Sequence, residues 1–410
     1  MVTEQGWWQE SGADREGGSF AVARDGSVQP SARSDLPWVV LDADGNEVRS
    51  ASAWLMDLYL TDYPASTLRS YAFDLLSWHR FLWAVEVPWQ QASRAEVRDW
   101  VRWMRTSENP QRRRSGHGRP QPGTVNDRTG KPYLPEGRAP STINHALSTL
   151  TSFYEFAVES DLGPMVNPVP RTRADRERTF AHRSPVLPRV YGPRAPYRQK
   201  EQVRVPRQLS DQLFEEFFTV LPCNRDRAIV STAVSSGARA GEMLSMRPVD
   251  MNVDELTISV IPKGSRHRSP VRASPDAFMW ITLAMAEAPS APQAPLWQTR
   301  TRVPRPLTYW ALRQVLERAN AALGSNITFH DLRHTYCYRL LENPELLITE
   351  VQELMRHKRL ASTEIYMRAR MDDLVAKLVA HYARPPAAPP APAVGYDRAD
   401  MTVLFPGIFQ

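Results

Sequence analysis

The sequence predicts a mainly α-helical protein of two domains, with one small β-hairpin in the second. Three observations carry that prediction. Residues 49 to 160 repeat apolar side chains three and four apart, the period of a buried helix face. The segments LTISVI and SPVRAS are short, rich in β-branched or alternating residues, and flank the Gly-containing turn PKGSRH. The chain has 410 residues, more than one hydrophobic core usually serves, and its 35 prolines concentrate in connecting stretches.

Residues 1–47 are rich in Gly, Ser and charge, with Trp7 and Trp8 as a dense apolar spot and WVVLDADGNEV as a short strand and turn. They are expected to form a weakly ordered arm. Residues 48–165 hold four helical patterns: SASAWLMDLYL, STLRSYAFDLLSWHRFLWAV, SRAEVRDWVRWMR and STINHALSTLTSFYEFAVES. In the last, Ile143, Leu147, Leu150 and Phe153 share one face, and Ser141 is the expected N-cap. A loop over 107–140 interrupts the pattern and carries Arg112, Arg113 and Arg114. It reads either as a solvated insertion or as a basic arm lying along a phosphate backbone.

Residues 166–207 read as a basic interdomain linker. From Arg171 to Arg207 there are eleven Arg or Lys against three acids, and repeated prolines keep the chain extended. A strap over DNA and an ordinary charged linker both fit. Residues 208–383 form the second domain. It opens with a helix capped by Ser210 and continues with RDRAIVSTAVSS, which Gly237 stops. After the hairpin, helices follow to Tyr382. Residues 384–410 are a proline-rich spacer and a tail ending in a small apolar cluster, suited to docking on a neighbouring subunit.

Composition narrows the function classes. No stretch approaches the roughly 20 apolar residues of a membrane span, and the first residues lack the pattern of a signal peptide. Cys223 and Cys337 are too few and too far apart for a disulfide framework or zinc site, and are expected as core thiols in a cytoplasmic protein. The net charge of +6 and the pI near 9.4 favour a polyanionic partner only modestly.

Four short motifs carry chemistry: SSGARAGEMLSM with Arg239 and Glu242, IPKGSRHR with Lys263, FHDLRHTY with His330 and Arg333, and MRHKRLASTEIY with His357, Thr363 and Tyr366. Each is weak alone, because a lone arginine is usually a surface charge and a helical tyrosine is usually packing. In this order and spacing they resemble the tyrosine recombinase, or phage integrase, family. Its pattern is an Arg in TGxRxxE, a hairpin Lys, HxLRH, and GHxxxxxTxxxY. The resemblance extends over roughly residues 49 to 380 and includes the NP at Asn167 and Pro168. Two positions depart from it. Arg356 stands where a Gly precedes the histidine, and NPELLITEV replaces a Gly-containing turn, with Asn343 expected to take the left-handed backbone.

The resemblance implies a helical core-binding domain and a catalytic domain that clamp double-stranded DNA in a C shape. It implies a site-specific DNA recombinase, needing no cofactor or metal, that cuts and rejoins strands through a 3′-phosphotyrosine. Tyr366 is the implied nucleophile. Arg239 and Arg333 would neutralise the non-bridging oxygens with planar, permanently charged forks. His330, three residues from Arg333 and so on the same helix face, is a candidate for helping to remove the tyrosine proton. Lys263 is the implied general acid, His357 an oxygen ligand, and Glu242 the support for the arginines. The family acts as homo-tetramers, and the resemblance leaves accessory proteins open. The expected compartment is the cytoplasm, at the nucleoid, and the extra arm, loop and tail favour a mobile element. A type IB topoisomerase, a hairpin-resolving enzyme with the same chemistry, and an inactive DNA-binding regulator are the alternatives.

Overall fold

The computed structural model describes residues 21–108, 121–171, 195–201, 206–262, 264–265, 267–357, 359–367, 378–379, 381–383 and 398–407. Two compact units divide the chain: residues 1–203 with 324–326, and residues 204–323 with 327–410. Among the described residues no helix is long and apolar enough to cross a membrane.

The first unit is built on four helices, Arg49–Leu60, Ala65–Ala84, Arg94–Thr106 and Pro140–Glu159. Their inward faces form one aromatic core in which Trp54, Trp78, Trp100, Phe81 and Phe153 are fully or almost fully buried. Each such side chain contributes about 1.5–3 kcal/mol relative to exposure. Two of its buried polar groups pair with each other: Trp78 Nε1 donates to the Tyr154 hydroxyl at 3.1 Å, and that hydroxyl donates to the Trp89 carbonyl at 2.8 Å. Ser93 and Glu96 start the third helix with a capping box. Asn167 ties the chain back to the fourth helix, donating from Nδ2 to the Thr151 carbonyl at 2.9 Å.

Three expectations change here. Residues 27–41 are not a loose arm: Ser27–Pro30 pairs antiparallel with Trp38–Leu41, and Leu36 and Val40 are completely buried in the helical core. Alternation places Val40 inward, and the tight turn near Leu36 brings a second apolar group to the same core. The fourth helix starts two residues earlier than a Ser141 cap would place it, with Ala139 as N-cap and Pro140 at the first helical position, where a missing N–H costs nothing. Within the 107–140 loop, residues 109–120, including Arg112, Arg113 and Arg114, lie outside the described residues. Residues 121–139 form an organised turn in which Val125 bridges Pro132 and Asn126 is buried. Residues 1–20, most of the linker (172–194 and 202–205) and the spacer 384–397 also lie outside the described residues.

In the second unit, Ser210 caps the helix Asp211–Thr219 by accepting from Leu213 N at 3.2 Å. The helix Asn224–Ser236 ends at Gly237, whose φ of 59° is left-handed. A three-stranded antiparallel sheet follows, in the order Met251–Asn252, Thr257–Val260, Ser269–Arg272, with Ile258 opposite Val271. The last two strands are the expected hairpin; the two-residue first strand is too short for any periodicity to announce. Helices Pro275–Glu287, Tyr309–Leu323 and Phe329–Glu342 close the core around Phe217, Ile229, Ile281, Leu312 and Leu332.

A separate, smaller cluster joins the far end of Phe329–Glu342 to the helices Ile348–Leu354 and Ala361–Met367, through Cys337, Tyr338, Leu341, Val351, Met355 and Tyr366. Cys337 is a buried thiol, but Cys223 is only half-buried, because it sits just before the first residue of a helix rather than on its inner face. Asn343 is extended, with φ −75° and ψ 114°, so it does not replace the family's glycine. The tail forms a short helix, Arg398–Leu404, with Val403 and Leu404 exposed.

Candidate active site

The site is assembled from two turns and a helix of the second unit, with Tyr366 brought to them by the helix Ala361–Met367. The first is the left-handed stop at Gly237, which turns the chain so that Arg239 caps the short helix Ala240–Leu244. A Cβ on Gly237 would collide with the ring of Tyr336, so both the backbone angle and the close approach exclude a side chain. Glu242, in the first turn of that helix, is almost fully buried. Its Oε2 accepts from Arg239 N at 3.0 Å, and its Oε1 accepts from Arg239 Nη1 at 2.7 Å.

The second piece is the helix Phe329–Glu342, opened by a Thr328–Asp331 capping box. It carries Arg333 inward, 4% exposed. Arg333 donates from Nη1 to the Gly237 carbonyl and from Nη2 to the Met355 carbonyl. Burial, with Arg239 and Arg356 nearby, pushes its pKa down to about 10, so it remains a cation at neutral pH.

The third is the turn after Ile348–Leu354. Arg356 has φ 53°, the left-handed conformation in which a Cβ costs about 1–2 kcal/mol, and this accounts for the glycine of the family pattern. Its Nη2 donates to Glu242 Oε2 at 2.9 Å, so the carboxylate lies between two guanidiniums. Burial alone would raise the Glu242 pKa, but Arg356 and Arg239 outweigh it and hold the group below the usual carboxylate value. His357 follows, with Nδ1 and Thr363 Oγ1 sharing a hydrogen bond of 2.8 Å. Burial and the surrounding cations, Arg333 first, push its pKa down to about 4, so the ring is neutral at pH 7.

Tyr366, one turn beyond the fully buried Thr363, is 3% exposed. Its hydroxyl and His334 Nδ1 are 2.6 Å apart, and Tyr338 packs edge-on against its ring at 5.3 Å. Burial pushes the Tyr366 pKa up, against the pull of Arg333 and Arg239, so the hydroxyl is protonated.

The structure thus brings together five of the expected residues: Arg239, Glu242, Arg333, His357 and Tyr366. His330 is exposed at the start of its helix, its ring stacked 6.1 Å from that of His334. The histidine at the Tyr366 hydroxyl is His334, the second of HDLRH and one helical turn further on. The i to i+4 spacing of the two histidines is the sequence signal that points to it. Lys263 lies outside the described residues. What this arrangement can do chemically is hold an anion beside fixed cations, with a hydroxyl and a neutral imidazole close by.

Residues 211–372 match the family model described as Phage integrase family. Tyrosine recombinase XerC of Bacillus pumilus is 28% identical over 268 residues, 62% of this chain and 79% of the relative. Tyrosine recombinase XerD of Lacticaseibacillus casei is 28% identical over 256 residues, 58% of this chain and 76% of the relative. Among solved structures, the Tn1549 transposon integrase in complex with transposon right end DNA aligns with TM-score 0.53 at 14% identity, over 82% of this chain and 99% of that one. A lambda integrase tetramer bound to a Holliday junction aligns with TM-score 0.51 at 17% identity, over 76% of this chain and 77% of that one. These two likenesses bear on the fold. Over residues 211–372 the chain is similar to the tyrosine recombinase, or phage integrase, family.

Proposed function

We propose that this protein is a site-specific DNA recombinase that cuts and rejoins strands through a 3′-phosphotyrosine, without ATP or a metal. The observation that carries the reading is the meeting of Arg239, held by the buried Glu242, with Arg333, held by the Gly237 and Met355 carbonyls, beside His357 and Tyr366. A phosphodiester resists attack because it is an anion, and two held guanidiniums offset the charge that builds on its non-bridging oxygens. The neutral His357 supplies a further donor to the same oxygens.

Tyr366 attacks phosphorus, the P–O5′ bond breaks, and the 5′-oxygen takes a proton. The phosphodiester energy is kept in the tyrosine linkage, so a 5′-hydroxyl from another strand reverses the step. The tyrosine proton must leave, and His334, 2.6 Å from the hydroxyl at rest, would take it as the ring departs for the phosphate; His330 is the alternative that the motif suggests. Lys263 is assigned as the acid for the leaving oxygen on the resemblance alone. Because Tyr366 is buried in the DNA-free protein, its ring has to move toward the phosphate before attack.

The partners proposed are a double-stranded target and three further copies of the chain, in the cytoplasm at the nucleoid. The aligned transposon integrase is in complex with DNA, and the aligned lambda integrase is a tetramer on a Holliday junction; both support that reading for this chain. A mobile element is the proposed setting, as for the transposon integrase it resembles in fold.

The test works without a defined target sequence. Cells expressing the protein are denatured rapidly, covalent protein–DNA complexes are isolated, and the attached ends are sequenced. One recurrent sequence joined through its 3′ phosphate is expected, undiminished by EDTA during a purified reaction. Tyr366→Phe should abolish the adduct while DNA binding survives. An adduct that persists in Tyr366→Phe would remove the nucleophile assignment, and its absence in the wild type would favour an inactive DNA-binding regulator.

A further inference from the structure

Residue 356 stands where the family pattern has glycine, and its left-handed φ of 53° shows why glycine suits the turn. A large charged residue there accepts backbone strain, and its side chain is held at three points. Nη2 donates to Glu242 Oε2 at 2.9 Å and reaches the Gly237 carbonyl at 3.4 Å, while Nη1 donates to the Leu354 carbonyl at 3.0 Å. Nε is buried without an acceptor among the described residues. With the side chain only 15% exposed, this guanidinium faces protein and presents no free fork to a phosphate.

Its neighbours in the bonding pattern are the two arginines of the site. Arg239 takes the other oxygen of Glu242 at 2.7 Å and donates from Nη2 to the Arg356 carbonyl at 3.4 Å. Arg333 donates to the Gly237 carbonyl, which Arg356 also reaches, and to the carbonyl of Met355, the residue before it. Three guanidiniums are therefore linked through one carboxylate and the carbonyls of two left-handed turns. Remove the side chain of Arg356, and the His357 turn keeps its backbone acceptors but loses its ion pair to the Arg239 motif.

We propose that Arg356 is a positioning residue that ties the His357 turn to Glu242 and Gly237, setting where Arg239, Arg333 and His357 stand with respect to one phosphate. The proposal rests on the recombinase reading. A strut takes the place of a permissive glycine, and it acts on the rate of the chemical step rather than on capture of DNA.

The test compares wild type, Arg356→Gly and Arg356→Lys on a nicked duplex built from the sequence recovered with the trapped protein. Single-turnover adduct formation and equilibrium binding to the intact duplex are both measured. Arg356→Gly suits the left-handed turn and should fold, yet its adduct rate should fall by roughly tenfold to a hundredfold, the scale of a small misplacement of reacting groups. Binding should change less than about threefold. Arg356→Lys keeps a cation within reach of Glu242 but not the fork, and should recover part of the rate. A rate in Arg356→Gly close to wild type, a parallel loss of rate and binding, or no recovery by lysine would each overturn the proposal. If the wild type itself forms no adduct, the recombinase reading falls; a wild-type adduct with an indifferent Arg356→Gly removes only this inference.

Discussion

Replacing Glu242 by glutamine takes one buried negative charge from among three guanidiniums and leaves the side-chain volume unchanged. Glu242 is 1% exposed, and the side chains of its partners Arg239 and Arg356 are 28% and 15% exposed, so water screens the pairs weakly. Breaking a buried pair by removing one partner costs about 3–5 kcal/mol. The glutamine oxygen can still accept one hydrogen bond, which places the expectation near the lower end, about 3 kcal/mol. In a unit of about 200 residues each kcal/mol moves the midpoint by roughly 2–4 °C, so the melt should fall by roughly 6–12 °C at pH 7.

The pH dependence has a definite sign. The folded pKa of Glu242 is depressed below its ordinary 4.5, so its stabilisation is fully present above that value and is lost as the pH falls through the folded value. The gap between wild type and Glu242→Gln should therefore be widest at neutral pH and close at more acid pH than about 4.5. Thermal melts followed by circular dichroism across roughly pH 3–7 measure both. A neutral-pH difference below about 2 °C, or a gap that does not narrow in acid, would refute the assignment of Glu242 as the charge that holds the arginines together.

His334→Gln should slow adduct formation by roughly 10²–10⁴-fold, the usual contribution of a general base, with DNA affinity preserved. Normal rates in His334→Gln together with a slow His330→Gln would return the proton to His330. Gly237→Ala should lower stability by about 1–3 kcal/mol, because its φ is left-handed and the added carbon meets the Tyr336 ring; an unchanged melting curve would contradict both reasons.

How much of the molecule is legible in the sequence follows the physical range of each signal. The four helices of the first unit and the capped helix at Ser210 are readable because periodicity and caps are local. Gly237 is readable as a stop, but not as the floor under Tyr336 or as the carbonyl shared by Arg333 and Arg356, since those contacts span about a hundred residues. The ribbon at Ser27–Leu41 looks like a loose arm in sequence because its apolar residues are few and scattered; Leu36 and Val40 are buried in the core and Val28, Trp38 and Val39 pack against it. His334 escapes sequence reasoning because the motif singles out His330 and Arg333, and only the approach of the distant Ala361–Met367 helix brings a hydroxyl to it. Arg356 is visible as an exception to a pattern, but its partners are not.

The position of Tyr366 has a consequence for the course of the reaction cycle. Its ring belongs to the small cluster with Cys337, Tyr338, Leu341, Val351 and Met355, while the main core of the unit closes without it. On the proposed mechanism, drawing Tyr366 out for attack would empty a side chamber and leave the main interior packed. On that mechanism a strand joined to Tyr366 would leave the chamber open and the helices Ile348–Leu354 and Ala361–Met367 less packed, and religation would refill it. The return of the ring to His334 would then act as a restoring force, favouring release of the rejoined strand over a lasting covalent bond.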